Sequence, residues 1–270
     1  MNKHCKAIVW KIIDCGLTCC PRKVCVCHHL YLSQGCRSID DFHIPEPWNG
    51  DIEHAQILFV SLNPGFTPNE LYPNLGNPYW TQLALTSVVF DNGKVEDFFE
   101  NRVNDYYVRW STSQGKSQFS VRLTNGTYKD IPSQGYWNYV QSIADFILNH
   151  PAIPGQDYAL TEVVHCKSRS TKVISKKCYD ECMKKHFKDI LNVASNLQYL
   201  VIIGAPTRSH VAKYLNHVNP AKYVWYDTPI NGKMVKVIYA DHNSGWGKNH
   251  GSVSRFPNPT KVTLISKKHP

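Results

Sequence analysis

The sequence predicts an α/β protein: a three-layer α/β/α sandwich around a central four-stranded parallel sheet, with a small inserted antiparallel hairpin and a cysteine-rich N-terminal leader. Three observations predict it. Four short apolar runs, at 56–60, 158–164, 199–204 and 235–240, are rich in β-branched and aromatic residues and read as strands buried on both faces. Stretches of helical periodicity separate them, which implies right-handed crossovers and helices on both sides of the sheet. The first and last of these strands end in polar corners, Asn63-Pro64-Gly65 and His242-Asn243-Ser244-Gly245. Open α/β sheets bind their ligands at the carboxyl ends of the strands, so Asn63 and His242 are expected on one rim.

Each element follows in order. Residues 1–44 form the leader, whose secondary structure the pattern does not define, and 45–270 form the main domain. Pro45, Pro47 and Gly50 punctuate the approach to the first strand. Residues 79–90 are expected as a helix, with Trp80, Leu83, Ala84 and Val88 at core-like spacing, and 95–103 continue that layer. The insert spans approximately 104–132. It alternates around Val108 and Phe119, and its Asn125-Gly126 pair is a strong hairpin signal. Its cations Arg109, Lys116, Arg122 and Lys129 suit a solvated edge or a DNA contact equally. Residues 136–149 place Tyr136, Val140, Ile143 and Ile147 on one helical face. Residues 177–196 form a long amphipathic helix whose outer face, with the preceding loop, carries Lys167, Arg169, Lys184, Lys185 and Lys188 as an electrostatic footprint. A short helix at 207–215 precedes the last strand.

At 270 residues with 42% apolar and 12% aromatic content, the chain has a substantial core and reads as a single, monomeric unit. Thirty Lys and Arg against 21 Asp and Glu give a net charge of +9. Such a surplus favours polyanions, because each neutralised phosphate releases counterions. No apolar run approaches the ~20 residues that a membrane span needs. The first ten residues lack the apolar stretch and small-residue cleavage site of a signal peptide, so a cytoplasmic protein is expected. Ten cysteines in such a setting point to metal or redox chemistry rather than a disulfide framework.

Three segments together resemble the uracil-DNA glycosylase superfamily. Ser61-Leu62-Asn63-Pro64-Gly65 is similar to the G-x-N-P-G first motif of the mismatch and single-strand-selective branches. His242-Asn243-Ser244 is similar to the H-P-S second motif. Between them, Leu160-Thr161-Glu162-Val163-Val164-His165-Cys166-Lys167-Ser168-Arg169 looks like the T-N-V-V-K-C-R segment of the iron–sulfur branch. The departures are Ser61 for glycine, Asn243 for proline and Glu162 for asparagine. The resemblance covers roughly residues 45–250.

It implies a monofunctional DNA glycosylase that flips out a pyrimidine and leaves an abasic site, in repair or in defence against modified viral DNA. The alternative is a nucleic-acid-binding protein that kept the fold and lost catalysis. By motif position, Asn63 orients the attacking water and His242 donates to the base O2 as charge builds there. Phe66 or Tyr72 stacks on the base. Ser244 holds a flanking phosphate, Trp246 is the wedge inserted into the base stack, and Lys248 and Arg255 grip phosphates. Glu162 falls where relatives read the Watson–Crick edge. An ionised carboxylate accepts but does not donate, which favours a cytosine-type base over uracil. A protonated Glu162 donating to O4, or Glu162 as general base, are the rival readings. Cys166 and Cys182, with fifteen residues between them, match the downstream ligands of the iron–sulfur branch, with Cys36 and Cys25 or Cys27 upstream. The expected set is Cys27, Cys36, Cys166 and Cys182, for a 4Fe–4S cluster first, zinc second, or free thiols.

Overall fold

The computed structural model describes residues 1–113, 116–132, 134–170, 172, 174–242 and 253–259. The leader is helical. α1, Lys3–Cys19, starts at Asn2, whose side chain accepts hydrogen bonds from the His4 and Cys5 amides. It buries Ile8, Val9, Ile12 and Ile13, a single face at helical spacing. α2, His28–Gln34, stops at Gly35 in the left-handed conformation. A 3-10 turn at Ile39–Asp41 and a further stretch of loop then lead to β1, Ile57–Ser61, buried at all five positions.

The expected helix at 79–90 is instead a hairpin of β2, Thr81–Ala84, and β3, Ser87–Phe90. Trp80 and Phe90 at its base are buried, whereas Leu83, Leu85 and Val88 are exposed. The apolar residues therefore mark the foot of a ribbon rather than a helical stripe, and the Thr, Ser and paired Val suit extended chain. α3, Asn92–Glu100, is capped by Asp91. The insert is a three-stranded antiparallel sheet of β4, Val108–Ser113, β5, Lys116–Arg122, and β6, Tyr128–Asp130. α4, Gln134–Leu148, follows with Val140, Ile143 and Ile147 buried.

β7, Tyr158–Glu162, is again buried throughout. The expected long helix is present, but not as one regular α-helix. α5, Lys176–Cys182, widens into a π-turn at Met183–Phe187 before α6, Lys188–Val193. β8, Tyr199–Ile203, α7, Ala205–Tyr214, β9, Trp225–Ile230, and β10, Lys233–Ala240, complete the described domain.

The main sheet has five strands in the order β7-β1-β8-β10-β9 rather than four. The four expected strands run parallel, and β9 is an antiparallel edge strand joined to β10. Successive residues of β1 enter different cores. Leu58 and Val60 pack with Ile12 of α1 and Phe99 of α3, while Ile57 and Phe59 pack with Val140 and Ile143 of α4. Each such buried side chain contributes about 1.5–3 kcal/mol relative to exposure, which is why the strands read as unbroken apolar runs. The leader is part of the first core and not an appendage.

Candidate active site and thiol cluster

The carboxyl ends of the four parallel strands open into a cleft of about 560 Å³, within the size range of small-ligand sites. Each strand contributes to it: Asn63 follows β1, Glu162 ends β7, Gly204 follows β8 and His242 follows β10. Backbone pairing continues past β1, with Val163 N–H on Ser61 O at 2.9 Å and Val164 N–H on Leu62 O at 3.0 Å. The Asn-Pro-Gly corner is then pinned to the loop after β7, since Phe66 N–H donates to Ser168 O at 3.0 Å. Asn63 Nδ2 donates to Ser168 Oγ at 2.8 Å and to Pro64 O at 3.2 Å. Its Oδ1 is buried and unpartnered among the described residues. A fixed amide therefore presents a free acceptor at the cleft wall.

His242 sits at the rim, its ring stacked on Tyr136 at 5.4 Å and 17°. Partial burial lowers its pKa below the ordinary imidazole value, so at neutral pH it keeps one N–H donor and one acceptor. Gly204 has φ of +96°, and a side chain there would meet His242 Cβ at 3.7 Å. The contact is an ordinary van der Waals one, so it is the positive φ that favours glycine where β8 ends beside β10.

Beneath the cleft lies an ionic network that sequence reasoning did not find. Arg102 donates to Glu46 Oε2 at 2.6 Å, to Asn49 Oδ1 at 2.9 Å and to Glu70. Lys167 Nζ donates to Glu46 Oε2 at 3.0 Å and lies 3.8 Å from Glu70. All four charged side chains are at most 6% exposed. Burial alone would raise the Glu46 carboxyl, but the Arg102 and Lys167 cations outweigh it and hold Glu46 down at about 2. Glu70 is likewise lowered against burial by Lys167 and Arg102. The network is charge-balanced, with two cations and two anions.

Glu162 lines the same cleft, 6% exposed, and its Oε2 has no partner among the described residues. Burial first, and the nearby Glu46 carboxylate second, raise its pKa well above the usual carboxylate range. Arg102 and Lys167 are already committed to Glu46 and Glu70. Burial and the Glu46 charge both favour the protonated acid, the rival reading, over the ionised carboxylate.

Several sequence expectations need relocation. Phe66 is half-buried on the cleft wall, with the Arg169 guanidinium 5.3 Å from its ring. Tyr72 is fully buried away from the cleft lining; its ring supports Lys167 Nζ at 4.0 Å and the Arg102 guanidinium at 5.4 Å. A π-face under two cations fits a structural role better than base stacking. Lys167, expected on an exposed basic face, is 1% exposed and belongs to the network. Arg255 lies near Tyr223, 5.9 Å from its ring, and does not line the cleft. Ser244, Trp246 and Lys248 lie outside the described residues. Tyr136 and Ser168 line the cleft as well; Tyr136 carried a core-face signal, and Ser168 none.

Thiols gather at a second place. Cys178 and Cys182 are four residues apart on α5, hence on one helical face. With Cys27 they bring three Sγ atoms within 4.8 Å of one another. Cys20 Sγ and Cys166 Sγ lie 3.1 Å apart, and these two, with Cys25, Cys27 and Cys182, line one small cavity. Hydrogen bonds from Cys178 and Cys27 hold the Cys182 thiol down at about 6. This donor set fits a thiolate-bound metal. Of the expected ligands Cys27, Cys166 and Cys182 converge here, but Cys36 does not. Its Sγ contacts Gln34 Oε1 at 3.8 Å beyond the end of α2, and Cys178 stands in the group instead. The left-handed turn at Gly35 carries the chain away from the cavity before Cys36 is reached.

No helix among the described residues is long and apolar enough to cross a membrane. No protein-family model and no curated protein matches the chain, so what the cleft does has to be argued from the chemistry of its own residues.

Proposed function

We propose that the chain is a monofunctional DNA glycosylase, similar in fold and site to the uracil-DNA glycosylase superfamily, that excises a flipped-out pyrimidine and leaves an abasic site. The observation that carries this reading is the convergence of Asn63, Glu162 and His242 on one cleft at the carboxyl rim of a parallel sheet. Core packing on both faces of that sheet supports the α/β/α layering that the family implies.

Hydrolysis of an N-glycosidic bond places water against C1′ while negative charge moves onto the leaving base. Asn63 Oδ1 is free and fixed by the Nδ2 bond to Ser168, which suits it to orient that water. The neutral His242 imidazole donates to base O2, and one preorganised donor of this kind is worth about 2.7–4 kcal/mol. Phe66 offers a face for the base. The net charge of +9 supports DNA as partner, through phosphate contacts that position without reading sequence. Lys167 is a buried amine of the cleft, but it donates to Glu46 and lies 3.8 Å from Glu70. This supports hydrolysis by water over a Schiff-base lyase route.

The thiol group, with Cys27, Cys178 and Cys182 as its nucleus, would hold an iron–sulfur cluster or zinc in a structural role. Such a metal would tie the leader to α5 and supply no chemistry to the cleft. The functional test is abasic-site formation on oligonucleotides carrying uracil, cytosine, hydroxymethylcytosine or glycosylated cytosine, read by alkali-induced strand cleavage. Cleavage after alkali, with no borohydride-trapped adduct, is the expected result. Binding without cleavage on every base would favour a catalytically silent nucleic-acid-binding protein.

A further inference from the structure

Among the described residues, Glu162 is the one acidic group of the cleft left out of the ionic network, and its chemistry defines a substrate class. The charged and titratable groups around it are Glu46 and Glu70, Arg102 beyond α3, Lys167 beyond β7, Tyr136 of α4 and Tyr72. The four charges cancel, so an ionised Glu162 would leave a net buried negative charge. A protonated Glu162 instead places one O–H donor and one carbonyl acceptor side by side, with Oε2 free to pair.

The Watson–Crick edge of a pyrimidine carries two adjacent groups. Uracil offers an acceptor at O4 and a donor at N3–H, whereas cytosine offers a donor at N4 and an acceptor at N3. A carboxylic acid complements either pattern, depending on which of its two equivalent oxygens holds the proton. An amide must turn its heavy atoms to make the same exchange. An ionised carboxylate fails on each base at one position, facing O4 of uracil or N3 of cytosine with a lone pair.

We propose that Glu162 is the specificity-determining residue of the cleft and reads, as a neutral acid, both uracil-type and cytosine-type pyrimidines by relocating its proton. This rests on the glycosylase reading for what happens after the base is bound, but the recognition step can be measured by itself. Between pH 6 and 9 the neighbours keep their charge states, since Glu46 and Glu70 are held low and Tyr72, Tyr136 and Arg102 high. His242, lowered by burial, stays neutral over most of that range. Uracil N3–H itself ionises near the top of this window, so a loss of recognition on the alkaline side reports Glu162 where the cytosine probe, which does not titrate there, shares it.

The test uses single-stranded oligonucleotides with one 2′-fluoro-deoxyuridine or one 2′-fluoro-deoxycytidine, whose glycosidic bonds resist cleavage, and a tetrahydrofuran control lacking the base. The wild type should bind both bases about tenfold or more tighter than the control, with the two Kd values within about fivefold of each other. Both preferences should fade together as pH rises, and Glu162→Gln should show no such pH limb. Discrimination of about 100-fold between the two bases at pH 7 would overturn the proposal. So would base recognition that holds or grows as pH rises, since an ionised carboxylate would then be the reading form, or binding no tighter than the control. Natural uracil and cytosine oligonucleotides run in parallel separate the two claims. Dual recognition without excision sustains the Glu162 assignment and refutes the glycosylase reading, while excision of one base only does the reverse.

Discussion

Removing the Arg102 guanidinium tests the network that holds the cleft floor. Arg102 serves Glu46, Asn49 and Glu70 at once, with side-chain exposures of 6% for Arg102, 3% for Glu46 and 4% for Glu70. Arg102→Met keeps much of the volume and leaves two carboxylates to share Lys167, so one buried negative charge has no counterpart. Taking away one partner of a buried pair costs about 3–5 kcal/mol, because the remaining charge is neither solvated nor paired. At about 2–4 °C per kcal/mol for a chain of this size, the melting temperature should fall by about 6–20 °C. The double variant Arg102→Met with Glu70→Gln restores the balance between Glu46 and Lys167 and should recover at least half the loss. Thermal unfolding at pH 7 reads both. A single variant within about 2 °C of wild type, or a double variant no better than the single, would refute the charge-balance argument.

Other outcomes follow from the same geometry. Glu162→Gln should stabilise the fold at neutral pH. Because the folded pKa of Glu162 is raised, wild-type stability is fully present below the unfolded value of about 4.3 and is lost at up to about 1.4 kcal/mol per pH unit above it. The variant's advantage should vanish near pH 4 and grow toward the raised pKa; equal melting curves at pH 4 and pH 8 would argue against a neutral Glu162. Anaerobically purified protein should contain iron or zinc, and Cys178→Ser should cut that content by more than half while Cys36→Ser leaves it intact. Metal analysis showing the two variants alike would remove Cys178 from the ligand set, and metal-free wild type would end the metal reading.

Most of the sheet was legible because strands buried on both faces leave unbroken apolar runs, as in β1, β7, β8 and β10. The edge strand β9 was missed, although Asn231-Gly232 between Ile230 and Lys233 is a hairpin signal of the kind recognised at Asn125-Gly126. Its run Trp225–Ile230 contains Asp227 and Pro229 and is too polar to read as core. The β2–β3 ribbon was mistaken for a helix because Leu83 and Val88 were counted as core, and only the fold reveals that they face solvent. Within the cleft, Asn63 and His242 were found from strand-end corners, a local signal. The network was not, because Glu46, Glu70, Arg102 and Lys167 come from four separate segments and are brought together only by tertiary contacts. The upward shift of the Glu162 pKa has the same origin, since it comes from burial and the nearby Glu46 while the cations are taken by other carboxylates. Cys36 fits the ligand spacing of the iron–sulfur branch, whereas Cys178 shares a helical face with Cys182 and only the fold brings Cys27 to that pair.

The most direct measurement is single-turnover formation of abasic sites on a uracil- or cytosine-derivative oligonucleotide by wild type and Asn63→Ala, with DNA affinity measured on the same samples. Water placement acts in the transition state, whereas affinity comes mainly from phosphates. The account predicts abasic product with wild type, a loss of more than about tenfold in rate for Asn63→Ala, and a Kd changed by less than about threefold. A wild type that forms no abasic site on any pyrimidine, or an Asn63→Ala variant whose rate and affinity fall together, would contradict it.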